Sequence, residues 1–151
     1  MRITVAAVGR LRRGPELDLV DKYRRLIRWP VDIREIELRR AAPDAEKRAR
    51  EGALLLDAVP KNAVTIALDE RGSSETSEGF AENLRRWRDS GRDIAFLIGG
   101  ADGLDPEILA KADKRLAFGR MTWPHRLARG LLMEQLYRAQ QILTGHPYHK
   151  G

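Results

Sequence analysis

Two short and almost wholly apolar segments constrain the fold of this chain most. Ala63–Leu68 and Ile94–Ile98 are bounded by polar or turn-forming residues, and both are too short for buried helices. Strands that are apolar on both faces are typical of the interior of a parallel sheet that is covered by helices on either side. We therefore predict two central strands and an α/β architecture.

The rest of the chain alternates strand and helix patterns. Further strands are predicted at Ile3–Val8, Val31–Leu38 and Leu116–Phe118. Helical patterns begin at Pro15, at Pro43, at Ser77 as an N-cap and after Asp105 as an N-cap, and the longest runs from Leu127 to Ile142. Asp69–Ser74 is expected to be a polar loop. This strict alternation predicts a single α/β domain with a mostly parallel sheet and flanking helices.

Charge points to a polyanionic partner. The net charge is +6, and the excess of basic side chains lies towards the two ends of the chain. Binding to nucleic acid is dominated by neutralisation of phosphates, although a basic protein without such a partner has the same composition. The candidate phosphate contacts are Arg10, Arg12, Arg13, Arg24 and Arg28. With no cysteine, no secretory segment and no apolar run of about 20 residues, we expect a cytoplasmic protein.

Three common kinds of site are not predicted. Gly9–Gly14 has the glycine spacing of a phosphate-binding loop, but Pro15 stands where that loop needs its lysine. Gly99–Gly103 lacks the glycine order of a dinucleotide fingerprint. No metal is expected, because Pro147 interrupts the spacing between His146 and His149 and no carboxylate cluster stands near.

Two glycine-bearing loops at the ends of predicted strands indicate a small-ligand site. Open α/β sheets bind ligands beyond the carboxyl ends of their strands, where Gly99–Gly103 and Gly119–His125 are expected to lie. Gly99–Gly103 is equally consistent with a tight turn before a helix. Gly119–His125 is long and apolar for a plain connection and is interpreted as a binding loop, although Pro124 also suits the start of a helix.

The last helix suggests an interface beside a polar site, because Arg129, Glu134 and Arg138 interrupt its apolar surface. Apolar residues cover more than one stripe of the helix after His125, which is typical of deep burial or of a subunit interface. The tail His146–Lys150 carries ring and basic side chains that could hold a base or a phosphate. Alternatively, the tail is an unstructured end.

The motifs LIGGADGL (Leu97–Leu104), RMTWPHRLARGLLMEQLYRA (Arg120–Ala139) and TGHPYHKG (Thr144–Gly151) resemble the bacterial ribosomal RNA large-subunit methyltransferase H family. This family belongs to the SPOUT class of knotted methyltransferases, and the resemblance covers essentially the whole chain. It implies one domain over residues 1–151, with a trefoil knot at about 94–145 and an active-site tail at 145–151. It also implies a homodimer whose active sites are each completed by the partner subunit's tail.

The resemblance implies S-adenosylmethionine-dependent methylation of N3 of a pseudouridine in helix 69 of 23S rRNA on the ribosome. The implied cofactor contacts are Leu68, Gly100, Gly119, Arg120, Met121, Thr122, Trp123 and Pro124. The candidate catalytic residues are His125 as proton acceptor, Arg138 for phosphate or anion, and Tyr148, His149 and Lys150 as a clamp on the nucleotide. Trp123 and Lys150 depart from the residues that are frequent in the family. A non-catalytic RNA- or ribosome-binding factor and a SPOUT enzyme acting on tRNA are the alternatives.

Overall fold

A computed structural model describes residues 1–150 as a five-stranded sheet between two layers of helices. The strands are β1 (Ile3–Val8), β2 (Val31–Ile36), β3 (Val64–Ser74), β4 (Ile94–Ile98) and β5 (Lys114–Ala117). Their order across the sheet is β2-β1-β4-β3-β5, and every strand pair is parallel. The predicted parallel α/β domain is therefore confirmed.

The helices divide between the two faces of the sheet. They are α1 (Pro15–Leu26), α2 (Asp44–Asp57), α3 (Ser77–Asp89), α4 (Pro106–Lys111) and α5 (His125–Leu143), followed by one turn of 3₁₀ helix at Pro147–Lys150. Helices α1, α3 and α5 pack on one face, while α2 and α4 pack on the other. None of these helices is long and apolar enough to cross a membrane.

The apolar strands lie inside the sheet, as predicted. All five residues of β4 are buried, and successive side chains of a strand point to opposite faces. In β1, Val5 packs in the core beneath α1, α3 and α5, whereas Ala6 packs in the smaller core beneath α2 and α4. Because helices cover both faces of the sheet, neither of the two predicted central strands shows an apolar–polar alternation.

The expectation of a polar loop at Asp69–Ser74 is wrong. Strand β3 continues to Ser74, and its pairing with β5 shifts register between Leu68 and Ser73. A Cβ atom on Gly72 would lie 2.7 Å from the carbonyl carbon of Arg115, so glycine permits a close approach of the two backbones. This part of the strand has polar side chains, so the apolar pattern of the sequence did not reveal it. Backbone pairing with β5 holds it in the sheet.

Several predicted boundaries also change. Thr76, not Ser77, is the N-cap of α3, since its Oγ1 accepts the backbone N–H of Gly79 at 3.0 Å. Ser77 instead donates its hydroxyl to Gln135 Oε1 at 2.8 Å. Asp105 occupies the N-cap position of α4 without a side-chain capping bond to any described residue. Strand β2 ends before Leu38, and β5 ends before Phe118.

Candidate active site at the carboxyl edge of the sheet

The glycine loop after β4 is a tight turn. The backbone N–H of Gly103 donates to the carbonyl of Gly100 at 3.0 Å, and Gly103 has a φ of 78°. A Cβ atom on Gly99 would lie 2.6 Å from the carbonyl carbon of Gly103. Gly99 and Gly103 therefore serve the turn itself, and the half-buried Gly100 is the glycine left for contact with a ligand.

The loop between β5 and α5 folds back on itself. Trp123 Nε1 donates to the carbonyl of Phe118 at 3.1 Å, and Thr122 Oγ1 donates to Glu70 Oε2 at 2.5 Å. Gly119 has a φ of 108°, and a Cβ atom placed on it would meet no other described atom within 4 Å. The loop thus holds a defined shape around open space at Gly119.

A cavity of about 420 Å³ opens between this loop, the start of α3 and the middle of α5. Its volume falls within the range of small-molecule sites, roughly 300–1,000 Å³. The lining residues are Ser74, Glu75, Thr76, Ser77, Phe80, Leu116, Ala117, Phe118, Gly119, Trp123, Leu131, Glu134 and Gln135. An aromatic wall suits a ligand that has a ring, whereas both lining carboxylates are already paired within the protein, Glu75 with Lys114 and Glu134 with Arg138.

The structure brings only part of the predicted cofactor set to this cavity. Gly119 and Trp123 line it, whereas Leu68 and Gly100 do not. Leu68 pairs with Leu116 just before the register shift of β3, and Gly100 lies beside Val8. The other predicted contacts are exposed in the loop: Arg120, Met121, Thr122 and Pro124.

The tail packs against its own helix α5 rather than fraying. The ring centroids of Tyr148 and Tyr137 are 4.8 Å apart, and Tyr148 Oη donates to Glu134 Oε1 at 3.1 Å. Burial, followed by hydrogen bonding with Tyr23, raises the pKa of the Tyr148 phenol. The alternative of an unstructured end therefore does not hold for the tail up to Lys150, whose side chain is exposed.

Glu134 joins the tail to the cavity. Its Oε1 accepts Arg138 Nη2 at 2.7 Å and Nε at 2.9 Å, and this bond raises the pKa of the guanidinium. The Arg138 guanidinium carbon lies 4.9 Å from the ring centroid of Tyr148. Because Glu134 also lines the cavity, it holds two of the predicted catalytic residues, Arg138 and Tyr148, at one wall of the cavity. The sequence marks Glu134 only as a charge that interrupts the apolar surface of the helix, although its position one helical turn before Arg138 was an available signal for their pairing.

His149 is held by two elements. Its Nε2 lies 2.6 Å from Glu78 Oε1 in α3, and its Nδ1 lies 3.5 Å from Arg138 Nη1. The hydrogen bond with His149 lowers the pKa of the Glu78 carboxyl. The predicted residues Arg138, Tyr148 and His149 are thus brought together within one subunit.

His125 lies apart from this cluster. It opens α5 beside the end of β1, where a Cβ atom on Gly9 would lie 3.7 Å from His125 Cε1. Its Nδ1 is buried and has no hydrogen-bond partner within residues 1–150. Burial, followed by the positive charges of Arg126 and Arg129, lowers the pKa of the imidazole. His125 is therefore neutral near pH 7, but it does not line the cavity.

Arg129, which the sequence marks only as a charge that interrupts the apolar surface of the last helix, holds this end of the sheet. Arg129 is 1% exposed and donates to the carbonyls of Val8 and Gly9 at 3.3 and 3.0 Å. It also forms an ion pair with Glu35 Oε2 at 2.9 Å. An arginine four residues after His125 on an apolar helix face was the available signal.

The described residues contain no group of three or more His, Asp or Glu side chains arranged to hold a metal ion. The aromatic side of the cavity, formed by Phe118 and Trp123, and the open space at Gly119 fit a nucleoside-like group.

The fold and the match to a family model together place this chain in the class of SPOUT methyltransferases. The sequence model of the family described as "Predicted SPOUT methyltransferase" matches residues 1–149, and the chain belongs to this family. Among its relatives, the ribosomal RNA large subunit methyltransferase H of Rhodospirillum centenum is 55% identical over 152 residues. That alignment covers 100% of both chains. The resemblance noted from the motifs is confirmed.

Solved structures agree in fold at low sequence identity. A "probable methylase family protein" from Haemophilus influenzae matches with a TM-score of 0.62 and 14% identity, over 97% of this chain and 69% of that one. A candidate methyltransferase from Legionella pneumophila, solved in complex with the bound cofactor SAM, matches with a TM-score of 0.50 and 15% identity. That match covers 92% of this chain and 66% of that one.

Proposed function

We propose that this protein uses S-adenosylmethionine to methylate N3 of a pseudouridine in helix 69 of 23S rRNA, on the assembled ribosome in the cytoplasm. Full-length similarity to ribosomal RNA large subunit methyltransferase H supports the substrate class. The observation that carries the proposal is the cavity beside Gly119 and Trp123, to which Glu134 attaches Arg138 and Tyr148. A non-catalytic RNA-binding factor does not require a cavity for a small ligand.

The residues present fit the cofactor. Trp123 would form an apolar wall of its site, and the open space at Gly119 would be the point of closest approach to backbone. Leu68, Gly100 and the rest of the loop to Pro124 stay proposed contacts outside the cavity lining. When bound, S-adenosylmethionine supplies an electrophilic methyl group on a positively charged sulfur.

The protein's own task is to orient the nucleotide and accept its proton. The ring N3–H must lose its proton, and a neutral imidazole with an unpartnered nitrogen is a suitable acceptor. His125 has both properties. Arg138 would stabilise the negative charge that develops on the ring, while Tyr148, His149 and Lys150 would clamp the nucleotide.

We further propose a homodimer with a trefoil knot at about residues 94–145, in which the partner subunit's tail completes each site. The separation of His125 from Arg138 and Tyr148 within one subunit supports sharing, since a single chain does not present them to one nucleotide. Trp123 and Met121, 42% and 76% exposed beside the cavity, supply apolar surface for a subunit contact.

The deciding experiment uses ribosomes that lack this methylation, prepared with and without prior pseudouridylation. Incubation with the protein and S-adenosylmethionine, followed by mass spectrometry of the rRNA, should show one added methyl group at helix 69 only in the pseudouridylated ribosomes. Methylation of tRNA instead would identify the SPOUT tRNA enzyme. Absence of S-adenosylmethionine binding at millimolar concentration in calorimetry would identify the non-catalytic factor.

A further inference from the structure

The segment Gly9–Gly14, here called the basic loop, forms a second cavity. The cavity has a volume of about 530 Å³ and lies between the loop and the first turns of α1. It is lined by Arg10, Leu11, Arg12, Arg13 and Leu17. All three arginines are exposed, whereas Leu11 is buried beneath them. The loop thus presents three guanidinium groups around one depression.

These three charges lie around one depression, and none of them has a carboxylate partner among the described residues. None of them forms an ion pair with any residue in the described range 1–150. By contrast, Arg50 pairs with Glu46, and Arg86 pairs with Glu82. Three like charges in one depression repel one another, so an anion that contacts all three relieves that repulsion.

The backbone of the basic loop is held in place. The N–H of Gly9 donates to the carbonyl of Ile36 at 2.8 Å, and the N–H of Leu11 donates to Glu35 Oε2 at 2.6 Å. The guanidinium of Arg129 also donates to the carbonyl of Gly9. The guanidinium groups are therefore presented from a fixed backbone, which reduces the entropy lost on binding.

The held end of the basic loop lies against the candidate proton acceptor. His125 Cε1 is 3.7 Å from the Cβ position of Gly9, the residue directly before Arg10. An RNA strand that places its target base near His125 would therefore run past the basic loop. The other two arginines of the sequence prediction, Arg24 and Arg28, do not line this cavity.

We propose that the basic loop is the binding site for the RNA backbone that flanks the methylated nucleotide. This inference rests on the proposed function. Planar guanidinium groups bind phosphate oxygens through paired hydrogen bonds, which suits successive phosphates of one strand. An RNA strand fits better than a nucleoside triphosphate, because Pro15 replaces the lysine that a phosphate-binding loop would use.

The test compares two triple variants in equilibrium binding to an RNA hairpin of helix 69 sequence. R10Q/R12Q/R13Q removes the charges of the basic loop, while R50Q/R86Q/R88Q removes three exposed, carboxylate-paired charges elsewhere. We expect the first to weaken RNA binding by roughly 10-fold or more and to lower the slope of log K against log[salt] by about 2. The control should change affinity less than threefold.

Two further measurements separate this inference from the proposed function and from misfolding. S-adenosylmethionine affinity by calorimetry should be unchanged in both triple variants, which reports an intact fold. R10K/R12K/R13K should restore the salt slope but only part of the affinity, because lysine keeps the charge and loses the paired geometry.

Equal losses of RNA affinity in the two glutamine variants would overturn the inference, even where wild-type methylation is intact. Binding of tripolyphosphate to the loop as tightly as RNA would also overturn it, in favour of a small-anion site. If the wild type bound RNA through the loop without methylating it, the proposed function would fail, and of this inference only the RNA contact at the basic loop would remain.

Discussion

Arg129 and Glu35 form an ion pair across the carboxyl edge of the sheet, with Nη1 and Oε2 2.9 Å apart. Arg129 belongs to α5 and is almost fully buried, while Glu35 belongs to β2 and keeps a side-chain exposure of 33%. The same carboxylate accepts the N–H of Leu11, and the same guanidinium binds the carbonyl of Gly9. One pair therefore fixes the start of α5, the end of β1 and the basic loop together.

Removing this carboxylate should destabilise the protein. Glu35→Ala leaves a buried guanidinium without its counter-charge, and we expect a loss of about 2 kcal/mol in the free energy of unfolding. The partial exposure of Glu35 keeps this below the full cost of a wholly buried pair. Urea denaturation measures the change. Asp32→Ala, which removes an exposed partner of Arg34 on the same strand, should cost less than about 0.5 kcal/mol, and equal costs for the two variants would contradict the prediction.

The acid limb of the methylation rate should report His125. Its pKa lies below the ordinary value of 6.5 because burial and two arginines disfavour the charged ring, so the neutral form persists as the pH falls through 6.5. Single-turnover rates from pH 5 to 8 should hold down to below pH 6.5 and then decline. His125→Gln should be slower at all pH values and should lack this limb. If His125→Gln kept the decline of the rate at acid pH, another titrating group would be responsible for it.

Protonation of His125 should also weaken the fold. The pKa of His125 is lower in the folded protein than in the unfolded chain, so the unfolded chain binds more protons. The free energy of unfolding therefore decreases as the pH is lowered from 6.5 to the folded pKa. The difference in unfolding free energy between pH 7 and pH 5.5 should therefore be smaller in His125→Gln than in the wild type. Urea denaturation at the two pH values measures it, and identical differences in both proteins would refute the linkage.

Trp123 should matter for the cofactor. Trp123→Ala removes an aromatic wall of the 420 Å³ cavity, and we expect S-adenosylmethionine to bind at least 10-fold more weakly, which corresponds to about 1.4 kcal/mol. Calorimetry provides the affinity. Leu54→Ala trims another exposed apolar side chain, on α2 at the opposite face of the sheet, and should leave the affinity unchanged. Undiminished affinity in Trp123→Ala would move the cofactor away from this cavity.

Glu134 should control the tail. Glu134→Ala removes the acceptor shared by Arg138 and Tyr148, and we expect the methylation rate to fall by roughly 100-fold through loss of positioning. Single-turnover assays with saturating cofactor measure this. Glu82→Ala removes a carboxylate that pairs with two arginines on the surface of α3, and it should be nearly silent. Comparable rates for the two variants would show that the ordered tail is not needed.

The parts of the fold that depend on apolar pattern could be predicted from the sequence. Ile94–Ile98 and the alternation of strands and helices were sufficient for the parallel sheet. The extension of β3 to Ser74 could not be predicted, because its side chains are polar and its pairing depends on a close approach at Gly72 to a strand about 40 residues later. The helix cap at Thr76 was missed for a simpler reason, since Thr76 and Ser77 are adjacent residues with similar capping side chains.

For the candidate site, the motifs identified the loops and the tail but not how they are connected. Gly119, Trp123, Arg138 and Tyr148 were predicted, whereas Glu134, which holds the last two at the cavity, was not. Its role depends on three-dimensional contacts with Tyr148 and Arg138 that only the folded tail creates. Arg129 was likewise hidden, because a charge on an apolar helix face can be paired or exposed with the same sequence pattern.

The strand order has a consequence for the order of folding events. Strand β5 lies at one edge of the sheet, yet α5 starts beside the end of β1, three strand positions or about 14 Å away. The segment 118–124 must therefore pass the ends of β3 and β4, which are not in place until the sheet has assembled. Cavity formation thus depends on late, long-range docking of the C-terminal third, a kind of contact that slows folding. In a nascent chain, competence to bind a ligand would then coincide with the last step of maturation.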